Sequence, residues 1–338
     1  MSIPTPALGL RSGKIPAATL GRLLSLPRRY CPELVVPPSV GEDAAVLDLP
    51  GGLVAVTSDP ITFPTLRPGH VAVCVNANDV AVMGARPRYF TLTILLPPGI
   101  SESALLDLVA DAIRSAEAYG VTLIGGHTEV TSAVTRPVLA VTMFGELVRP
   151  EPLRTGGAQA GDALIQVGYM ALEGTAILAS EHGERLRQAL GADDVAAAAA
   201  LLESPGISVV APALALAQGE GVHALHDPTE GGLATGLREM AVAAGLGAVV
   251  EASRLLLLPV TERVCGCLGY EPLGLISSGC LLAAAEPRLA EALVNALHRG
   301  GHGARVVGQF SADPALVLID ADGRRRQLPE YGVDELAR

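Results

Sequence analysis

The chain has 338 residues, of which 49% are hydrophobic and 17% are charged. A chain of this length usually divides into two domains, and this much apolar sequence supports buried cores rather than long disordered regions. The 24 basic and 35 acidic residues give a net charge of −11, which disfavours general nucleic-acid binding because it repels polyphosphate backbones. Small anionic ligands remain possible, since backbone N–H groups and a divalent cation can hold phosphates locally.

The sequence predicts a cytoplasmic protein that does not enter a membrane. The N-terminus lacks a basic region followed by an apolar run, and no window of 18 uncharged apolar residues occurs. Five cysteines are an odd number for disulfide pairing, and the pair Cys265 and Cys267 has no second pair or nearby histidines. We therefore interpret the cysteines as free thiols that pack as small hydrophobic side chains rather than as a zinc site.

The first half of the chain predicts an arm followed by alternating strands and helices. Residues 1–40 are rich in proline and glycine and predict an N-terminal arm with one short helix at 17–26. The β-type runs 45–49 and 53–57, separated by Pro50-Gly51-Gly52, predict a hairpin. The further elements predicted here are helices 70–84 and 101–119, the second capped by Ser101, and strands 88–96, 121–124 and 138–147.

Pro150 and Pro152, followed by Thr155-Gly156-Gly157, predict a domain boundary. We therefore expect one domain at 41–152 and a second at 153–338, each with strands and helices. The strands predicted in the second domain are 163–167, 223–226, 248–251, 280–284, 304–309 and 316–320. The helices predicted there are 174–190, 208–218, 232–244, 260–266 and 287–299.

Acidic residues gather at the ends of the predicted hairpin strands. Glu42 and Asp43 precede its first strand and Asp59 follows its second, so Asp43 and Asp59 should lie near one end of the paired strands. Two carboxylates brought together repel unless a cation joins them, and hard oxygen ligands suit Mg²⁺. The alternative is that each is a solvated aspartate in a turn.

Polar residues also interrupt the apolar helix predicted at 70–84. Asn76, Asn78 and Asp79 are costly to bury unless they find hydrogen-bond partners. They indicate either a network that caps the helix or joins it to another, or a contact with a ligand.

Two segments that follow predicted strands favour anion binding. The glycines of Gly125-Gly126-His127-Thr128-Glu129 permit a tight turn whose amides can face phosphate, while His127 could bind metal, bond a phosphate oxygen or cap the strand. The segment 226–232 precedes a helix whose N-terminus favours an anion, although Asp227 could equally be its N-cap. Residues 168–174 could also cradle phosphate, without a G-x-G-x-x-G or Walker pattern.

The order of these motifs is more informative than any one of them. The series is G-E-D-A-A-V (41–46), T-S-D (57–59), N-D-V-A-V-M-G-A-R-P (78–87), G-G-H-T-E (125–129) and D-P-T-E-G-G-L (227–233). It resembles the AIR synthase-related superfamily, which includes aminoimidazole ribonucleotide synthetase, thiamine-monophosphate kinase, selenophosphate synthetase and the HypE-like hydrogenase-maturation proteins. The resemblance is greatest to the HypE-like branch.

The resemblance implies an α+β, PurM-like fold with two domains. The N-terminal domain would be a mixed sheet with helices that binds ATP and dimerises through its strands into a barrel, and the C-terminal domain would be α/β. ATP and Mg²⁺ would lie in the groove between the domains, near the dimer interface. The expected partners are a second copy of the chain and a small-molecule or protein-borne substrate.

Site residues follow from the positions that match these motifs. By resemblance, Asp43, Asp59 and Asp227 would be the Mg²⁺ or phosphate-site carboxylates, and Asp43, Asp59 and His127 the catalytic candidates. The residues expected to bind the nucleotide are Lys14, Glu42, Asn78, Asp79, Gly125, Gly126, Thr128 and Asp227. Lys14, the only lysine in the chain, would belong to a mobile arm over the phosphates.

Two features depart from the hydrogenase-maturation pattern. His127 stands where those members typically carry Asp or Glu, which replaces an oxygen ligand by nitrogen. Their chemistry also runs on a cysteine at the extreme C-terminus, whereas no cysteine follows Cys280 here. We therefore expect their cyanide-ligand reaction not to proceed in the known way.

The activity implied by the resemblance is ATP-dependent activation of an amide, acid or phosphate oxygen by phosphoryl transfer. Mg²⁺ would neutralise the polyphosphate and align it for attack. One alternative is a non-catalytic nucleotide-binding protein that acts as an assembly partner. Another is a small-molecule kinase of the thiamine-monophosphate type, although D-P-T-E-G-G-L differs from the D-x-S-D-G-L expected there.

Overall fold

The structure, a computed structural model, describes residues 14–27 and 29–337. Residues 1–13, the part of the predicted arm before Lys14, lie outside the described residues, as do Arg28 and Arg338. The short helix expected in the arm is present as α1 (Ala17–Leu24). Among the described residues, no helix is both long enough and apolar enough to cross a bilayer.

The first half of the chain forms a mixed six-stranded sheet. Its strands are β1 (Leu34–Val36), β2 (Ala45–Leu49), β3 (Gly52–Ile61), β4 (Ala85–Leu96), β5 (Thr122–Val130) and β6 (Val138–Leu147). Their order is β1-β2-β3-β6-β4-β5, with only β4 and β5 paired in parallel. The predicted hairpin is confirmed, with Leu49 opposite Gly52. Over the described part of the chain the sheet is open, with β1 and β5 at its edges.

Two predicted turns of this sheet are wrong, because strand pairing continues through them. β3 runs on past Thr57 to Ile61, since it pairs with β6 as far as Ile61 opposite Leu139. Asp59 therefore lies within a strand. The glycines of the G-G-H-T-E motif also lie within a strand, because β5 pairs with β4 from Thr122 through Val130.

Gly126 is required by the close approach of β5 to β4. A Cβ at this position would lie 1.9 Å from the carbonyl oxygen of Leu92. We expect Gly126→Ala to cost about 1–3 kcal/mol of unfolding free energy, because a backbone atom cannot move aside as a flexible side chain can. Gly125→Ala is the matched control, since a Cβ there meets nothing within 4 Å. Urea unfolding compares them, and equal stability of the two variants would contradict this explanation.

Two helices cover one face of this sheet. They are α2 (Pro68–Val82) and α3 (Glu102–Ala118), and Ser101 caps α3 as predicted, its hydroxyl accepting a hydrogen bond from the Ala104 N–H at 3.2 Å. Thirteen of the 15 residues of α2 are buried, so its polar residues must find partners inside the protein.

The second half of the chain forms a seven-stranded sheet in the order β13-β12-β9-β11-β7-β10-β8. Its strands are β7 (Ala163–Val167), β8 (Val222–His226), β9 (Gly247–Glu251), β10 (Leu281–Ala285), β11 (Ala304–Ser311), β12 (Leu316–Ile319) and β13 (Arg325–Gln327). The helices are α4 (Leu172–Glu181), α5 (Gly183–Leu190), α6 (Ala192–Ala199), α7 (Val210–Ala217), α8 (Gly232–Ala244), α9 (Pro259–Leu268) and α10 (Pro287–Arg299). The single helix predicted at 174–190 is instead two, separated at His182, where Gly183 weakens helix continuity.

Part of the hydrophobic core is shared between the two halves. A large buried cluster combines residues of α2 and the first sheet with residues of α7, β7 and β10. Because α2 packs against α7 as well as α3, it lies between the two halves. Its polar side chains are therefore placed where the halves meet.

Candidate functional site

A cavity of about 180 Å³ lies between the two halves of the chain. From the first half it is lined by Lys14, Asp59 and Phe63, and from the second half by residues of three segments. These are Glu173 at the start of α4, Thr229 and Glu230 before α8, and Ile276 and Ser278 before β10. Two of the expected site residues, Lys14 and Asp59, therefore line the same cavity.

Asp227 lies immediately after β8 and is only 2% exposed. Neither of its carboxylate oxygens has a hydrogen-bond partner among the described residues. Burial, followed by the charge of Asp43 and that of Asp59, raises its pKa well above the usual value, while His226 opposes the shift. Burying such a group without hydrogen bonds is costly, so a cation bound beside Asp227 would stabilise its charged form.

Asp79 and Asp59 belong to the same acidic group. Asp79, on α2, accepts a 2.8 Å hydrogen bond from the Thr57 hydroxyl. Burial, then Asp227, Asp59 and Asp43, raise the pKa of Asp79 well above its usual value. Desolvation and Asp43 also raise the pKa of Asp59, against the effect of Lys14. The four carboxylates thus lie within electrostatic range of one another.

These carboxylates do not form a ready-made metal centre. Within residues 14–27 and 29–337, no group of three or more histidine, cysteine, aspartate or glutamate side chains converges closely enough to hold a metal ion. The sequence expectation that Asp43, Asp59 and Asp227 share one ion therefore remains a prediction. What the fold provides is the excess of negative charge that a cation would relieve.

A charged network joins Asp43 to the second half of the chain. Its centre is His226, the last residue of β8, which contacts Asp43 Oδ2 through Nδ1 at 2.9 Å and Glu239 Oε2 through Nε2 at 3.0 Å. Burial would lower the pKa of His226, but Asp43 and Glu239 outweigh it and raise the pKa well above its usual value. His226 is therefore an imidazolium held between two carboxylates at neutral pH.

Lys14 continues this network toward the cavity. Its ammonium lies 3.6 Å from Glu239 Oε1, and its backbone N–H donates to Glu230 Oε2 at 3.1 Å. Although burial opposes the charge, Glu239, Glu230, Asp43 and Asp59 raise the pKa of Lys14. Conversely, although burial alone would raise it, Lys14 and His226 hold the pKa of Glu239 at about 2.

The polar residues of α2 are used mainly to connect backbone segments. Asn76 accepts a hydrogen bond from the Asp59 N–H at 2.9 Å and donates to the Asp59 carbonyl at 3.2 Å. Asn78 donates to the Ile207 carbonyl and accepts from the Val209 N–H. The structure favours the network interpretation for both: Asn76 fixes Asp59, and Asn78 joins α2 to the segment before α7.

Glu42 has a similar connecting role. It accepts hydrogen bonds from the Thr155 N–H and from Arg154 Nε, each at 3.1 Å. Burial raises its pKa, and these two donors oppose the shift. The neighbouring Asp43 also accepts from the Thr155 hydroxyl at 3.2 Å. Both acidic residues thus attach the start of β2 to the segment that links the two sheets.

The G-G-H-T-E motif lies away from the cavity. β5 is separated from β3 by β6 and β4, which is three strand spacings, or about 14 Å. Gly125, Gly126 and Thr128 are exposed on this edge strand, and His127, 64% exposed, pairs with Glu129 at 3.2 Å. Within one chain, these four candidates are therefore not brought together with Asp59 and Asp227.

The N-terminus of α8 is capped by a residue that the sequence reasoning did not consider. Asp227 is not its N-cap; Gly231 occupies that position without a side-chain cap. The buried carboxylate of Asp334 accepts a 2.7 Å hydrogen bond from the Gly231 N–H. The anion expected at this helix end is thus supplied from 103 residues away, and Asp227 is left without that partner.

The thiols are not part of the site. All five cysteines are free, as predicted, and Cys74, Cys265 and Cys280 are buried. Burial raises the pKa of Cys74 and of Cys265 to about 12. These buried side chains therefore remain protonated and weakly nucleophilic at neutral pH.

Sequence reasoning missed three residues that the structure brings into the site. Glu239 lies on the inner side of a predicted amphipathic helix, where a carboxylate is costly unless paired. Glu173 lies in the segment proposed to cradle phosphate, and His226 immediately precedes the D-P-T-E-G-G-L motif. Their position in or beside these segments was the available signal for Glu173 and His226.

Family models and relatives match nearly the whole chain. Residues 41–147 match the AIR synthase related protein N-terminal domain, and residues 159–321 match its C-terminal domain. The carbamoyl dehydratase HypE of Rhodobacter capsulatus is 34% identical over 82% of this chain and 83% of its own length. HypE of Escherichia coli strain K12 is 31% identical over 88% of this chain and 89% of its own.

A solved structure agrees in fold. The hydrogenase maturation protein HypE in complex with ATP superimposes with a TM-score of 0.71 at 28% identity, covering 95% of this chain and 96% of that one. The expected α+β, PurM-like fold and the HypE-like resemblance are confirmed. The chain belongs to the AIR synthase related protein family.

Proposed function

We propose that this protein is an ATP-dependent enzyme that activates an amide, acid or phosphate oxygen by phosphoryl transfer. The observation that carries the proposal is the buried carboxylate of Asp227, which has no hydrogen-bond partner within residues 14–27 and 29–337 and lies among three other acidic side chains. Relatives that are 34% and 31% identical are named carbamoyl dehydratases, and a HypE of the same fold has been solved with ATP.

The family also implies Mg²⁺, and the donor set fits that ion. Two orphaned carboxylate oxygens of Asp227 and the nearby Asp43 and Asp59 are hard oxygen donors, which Mg²⁺ prefers. When bound, Mg²⁺ would neutralise the phosphates of ATP and align them for attack. These three carboxylates would hold it, with Asp79 close to them on α2.

Other residues of the chain prepare this site. Asn76 fixes the backbone of Asp59 through two hydrogen bonds, and His226 fixes Asp43. Lys14 supplies a cation at the cavity, where it can contact phosphate oxygens. Preorganised charges of this kind are the main means by which proteins promote phosphoryl transfer.

Mg²⁺ with ATP is expected to stabilise the fold. A ligand at about 100 times its dissociation constant adds roughly 2.7 kcal/mol to the unfolding free energy. Thermal unfolding with ATP or ADP, each with and without Mg²⁺, measures this effect. Because Asp227 needs a cation, the shift should be larger with Mg²⁺ than without it. The absence of a shift under all four conditions would overturn the proposal.

The uncovered face of the first sheet supports a homodimer. Val56, Thr93, Val138, Ala140 and Phe144 alternate with buried positions and are only partly covered, since α2 and α3 pack on the opposite face. We expect a second copy to cover this face, in an interface of about 2,000 Å² or more. Light scattering at micromolar concentration tests it, and a monomer would contradict the expectation.

A second copy would also explain the G-G-H-T-E motif. His127 and Thr128 lie on the edge strand, away from the cavity of their own chain. Any contact between these residues and a nucleotide would therefore have to be made by the partner copy.

The free thiols of the chain favour a reducing compartment, so we assign the activity to the cytoplasm.

A further inference from the structure

Residues 328–337 lie against the second half of the chain, with buried side chains toward both ends of this segment. Leu328 is 2% exposed and packs in the cluster that includes Leu233 of α8. Leu336 packs against a different cluster, formed by residues of α4, α5, α6 and α9. The segment therefore connects α8 with α4, the two helices that begin beside the cavity.

Two acidic residues of this segment are buried and bind backbone N–H groups. Asp334 and Glu335 are each 2% exposed. Asp334 accepts hydrogen bonds from the Gly231 N–H through Oδ2 at 2.7 Å and from the Leu336 N–H through Oδ1 at 2.9 Å. Glu335 Oε2 accepts from the Glu271 N–H at 3.1 Å. Because buried carboxylates are costly without such partners, these bonds fix the segment relative to Gly231 and Glu271.

The ring of Tyr331 leaves no space over the stretch of chain that precedes β10. A Cβ added at Gly274 would lie 2.4 Å from carbon atoms of this ring. A Cβ added at Gly232, where α8 begins, would lie 2.5 Å from the Leu273 carbonyl oxygen. The start of α8, the stretch before β10 and Tyr331 are therefore packed on one another. Ile276, which lines the cavity, follows this contact by two residues.

The position of Gly231 is transmitted to the cation of the cavity. Its neighbour Glu230 lines the cavity and accepts a hydrogen bond from the Lys14 N–H at 3.1 Å. The Lys14 ammonium lies 3.6 Å from Glu239 and is the basic group in the lining. A displacement of Gly231 would therefore move Glu230 and release the backbone of Lys14.

We propose that Asp334 is a positioning residue for the nucleotide site, which holds Gly231 in place and thereby sets the positions of Glu230 and Lys14. Asp334 acts through these residues, since it is not among those that line the cavity. The inference rests on the proposed function, because the ligand whose binding it affects is Mg²⁺ with ATP.

The protonation behaviour of Asp334 strengthens this hydrogen bond at neutral pH. Burial raises the pKa of Asp334 to about 6; the two N–H groups that it binds oppose the shift, whereas Glu230 and Glu335 add to it. Glu173, at the start of α4, is a further acidic residue within its electrostatic range. Hydrogen bonds to an ionised acceptor are about twice as strong as neutral ones, so Asp334 should have its full effect above neutral pH.

The first experiment measures the binding of Mg²⁺ with a non-hydrolysable ATP analogue to the full chain, by calorimetric titration above neutral pH. Asp334→Leu, which removes the acceptor at similar volume, should weaken binding on the order of 10-fold. Asp334→Asn keeps an oxygen that can accept from the Gly231 N–H, so its affinity should stay within about threefold of the wild type.

Asp162→Leu is the matched control for loss of a buried carboxylate. Asp162 is 3% exposed, accepts a hydrogen bond from the Gln159 N–H at 2.8 Å and pairs with His223, at the opposite end of β8 from Asp227. This variant should lose stability in urea without binding the analogue more weakly. If Asp334→Leu weakens binding no more than Asp162→Leu does, the inference is wrong.

The second experiment measures hydrogen exchange of the wild type with and without the same ligand, and so does not depend on a variant that folds. Coupling between two sites is reciprocal, so binding at the cavity should slow exchange in residues 328–337 as well as in 228–233. In ligand-free Asp334→Leu, exchange in 228–233 should be faster than in the wild type, and in Asp162→Leu it should be unchanged. Slower exchange in 228–233 alone would contradict the inference.

The outcomes separate this inference from the proposed function. If the wild type binds the analogue and Asp334→Leu binds it more weakly while Asp334→Asn does not, both are supported. If all variants bind as the wild type does, or if the ligand leaves exchange in residues 328–337 unchanged, the inference is wrong while nucleotide binding stands. If the wild type binds no nucleotide, the proposed function fails and this inference fails with it.

Discussion

Asp227→Asn is expected to abolish the stabilisation by Mg²⁺ and ATP while making the ligand-free protein more stable. The carboxylate of Asp227 is buried, accepts no hydrogen bond from any residue that the structure describes, and lies near Asp43 and Asp59. Removing its charge should raise the unfolding free energy, because the neutral amide of asparagine is not repelled by Asp43 and Asp59. The same change removes an oxygen ligand, so the gain of roughly 2.7 kcal/mol at a saturating ligand concentration should disappear.

The pH dependence of stability provides an independent check on Asp227. Its pKa is raised in the folded state, so between about pH 3.9, its unfolded value, and the folded value the unfolded chain binds fewer protons. This group therefore lowers stability as the pH rises through that window. In Asp227→Asn the decline should be smaller. Asp48→Asn, which changes an exposed position on β2, is the control for this pH dependence. In the ligand experiment, a thermal shift with Mg²⁺ and ATP that persists in Asp227→Asn would refute the ligand role of Asp227.

His226→Gln is expected to destabilise the protein by about 3–5 kcal/mol. The variant leaves Asp43 and Glu239 without the imidazolium that lies 2.9 Å and 3.0 Å from them. Breaking a buried ion pair by removing one partner costs this much, because the remaining charge stays buried. Urea unfolding measures it. His127→Gln is the control, since its pair with Glu129 is exposed and should contribute less than about 1 kcal/mol.

The network predicts losses of stability on both sides of neutral pH. The raised pKa of His226 means that its contribution is complete below its unfolded pKa of about 6.5 and is lost as the pH rises through the folded value. Glu239, with a pKa of about 2, contributes fully above its unfolded value of about 4.3 and loses this as the pH falls. In His226→Gln the alkaline loss of stability should become smaller, and an unchanged loss would contradict the assignment to His226.

Local sequence signals predicted the elements whose boundaries depend on neighbouring residues. Ser101 caps α3 through the Ala104 N–H, and Pro50-Gly51-Gly52 joins the hairpin strands. The predictions failed where pairing with a strand distant in sequence decides whether a residue lies in a strand or a turn. Asp59 and Gly126 lie in strands because β6 and β4 pair with them, and no local pattern reveals those partners.

The residue types of the candidate site could be predicted from the sequence, but the contacts between those residues could not. The acidic character of Asp43, Asp59 and Asp227 followed from the motifs, and burial raises the pKa of the last two. That Asp43 would pair with His226 could not be predicted, because the two residues lie 183 positions apart. The separation of His127 from the cavity likewise depends on strand order, which the sequence leaves open.

The hydrogen bond from Gly231 to Asp334 has a consequence for the order in which the protein matures during synthesis. The segment that carries Asp227, Thr229 and Glu230 to the cavity lies just before α8, and its anchor is a carboxylate made 103 residues later. A chain still on the ribosome can fold its first sheet and form the His226 network, yet lacks this anchor until residue 334 emerges. We therefore expect the cavity wall formed by Thr229 and Glu230 to be completed late, after nearly all of the chain has been translated.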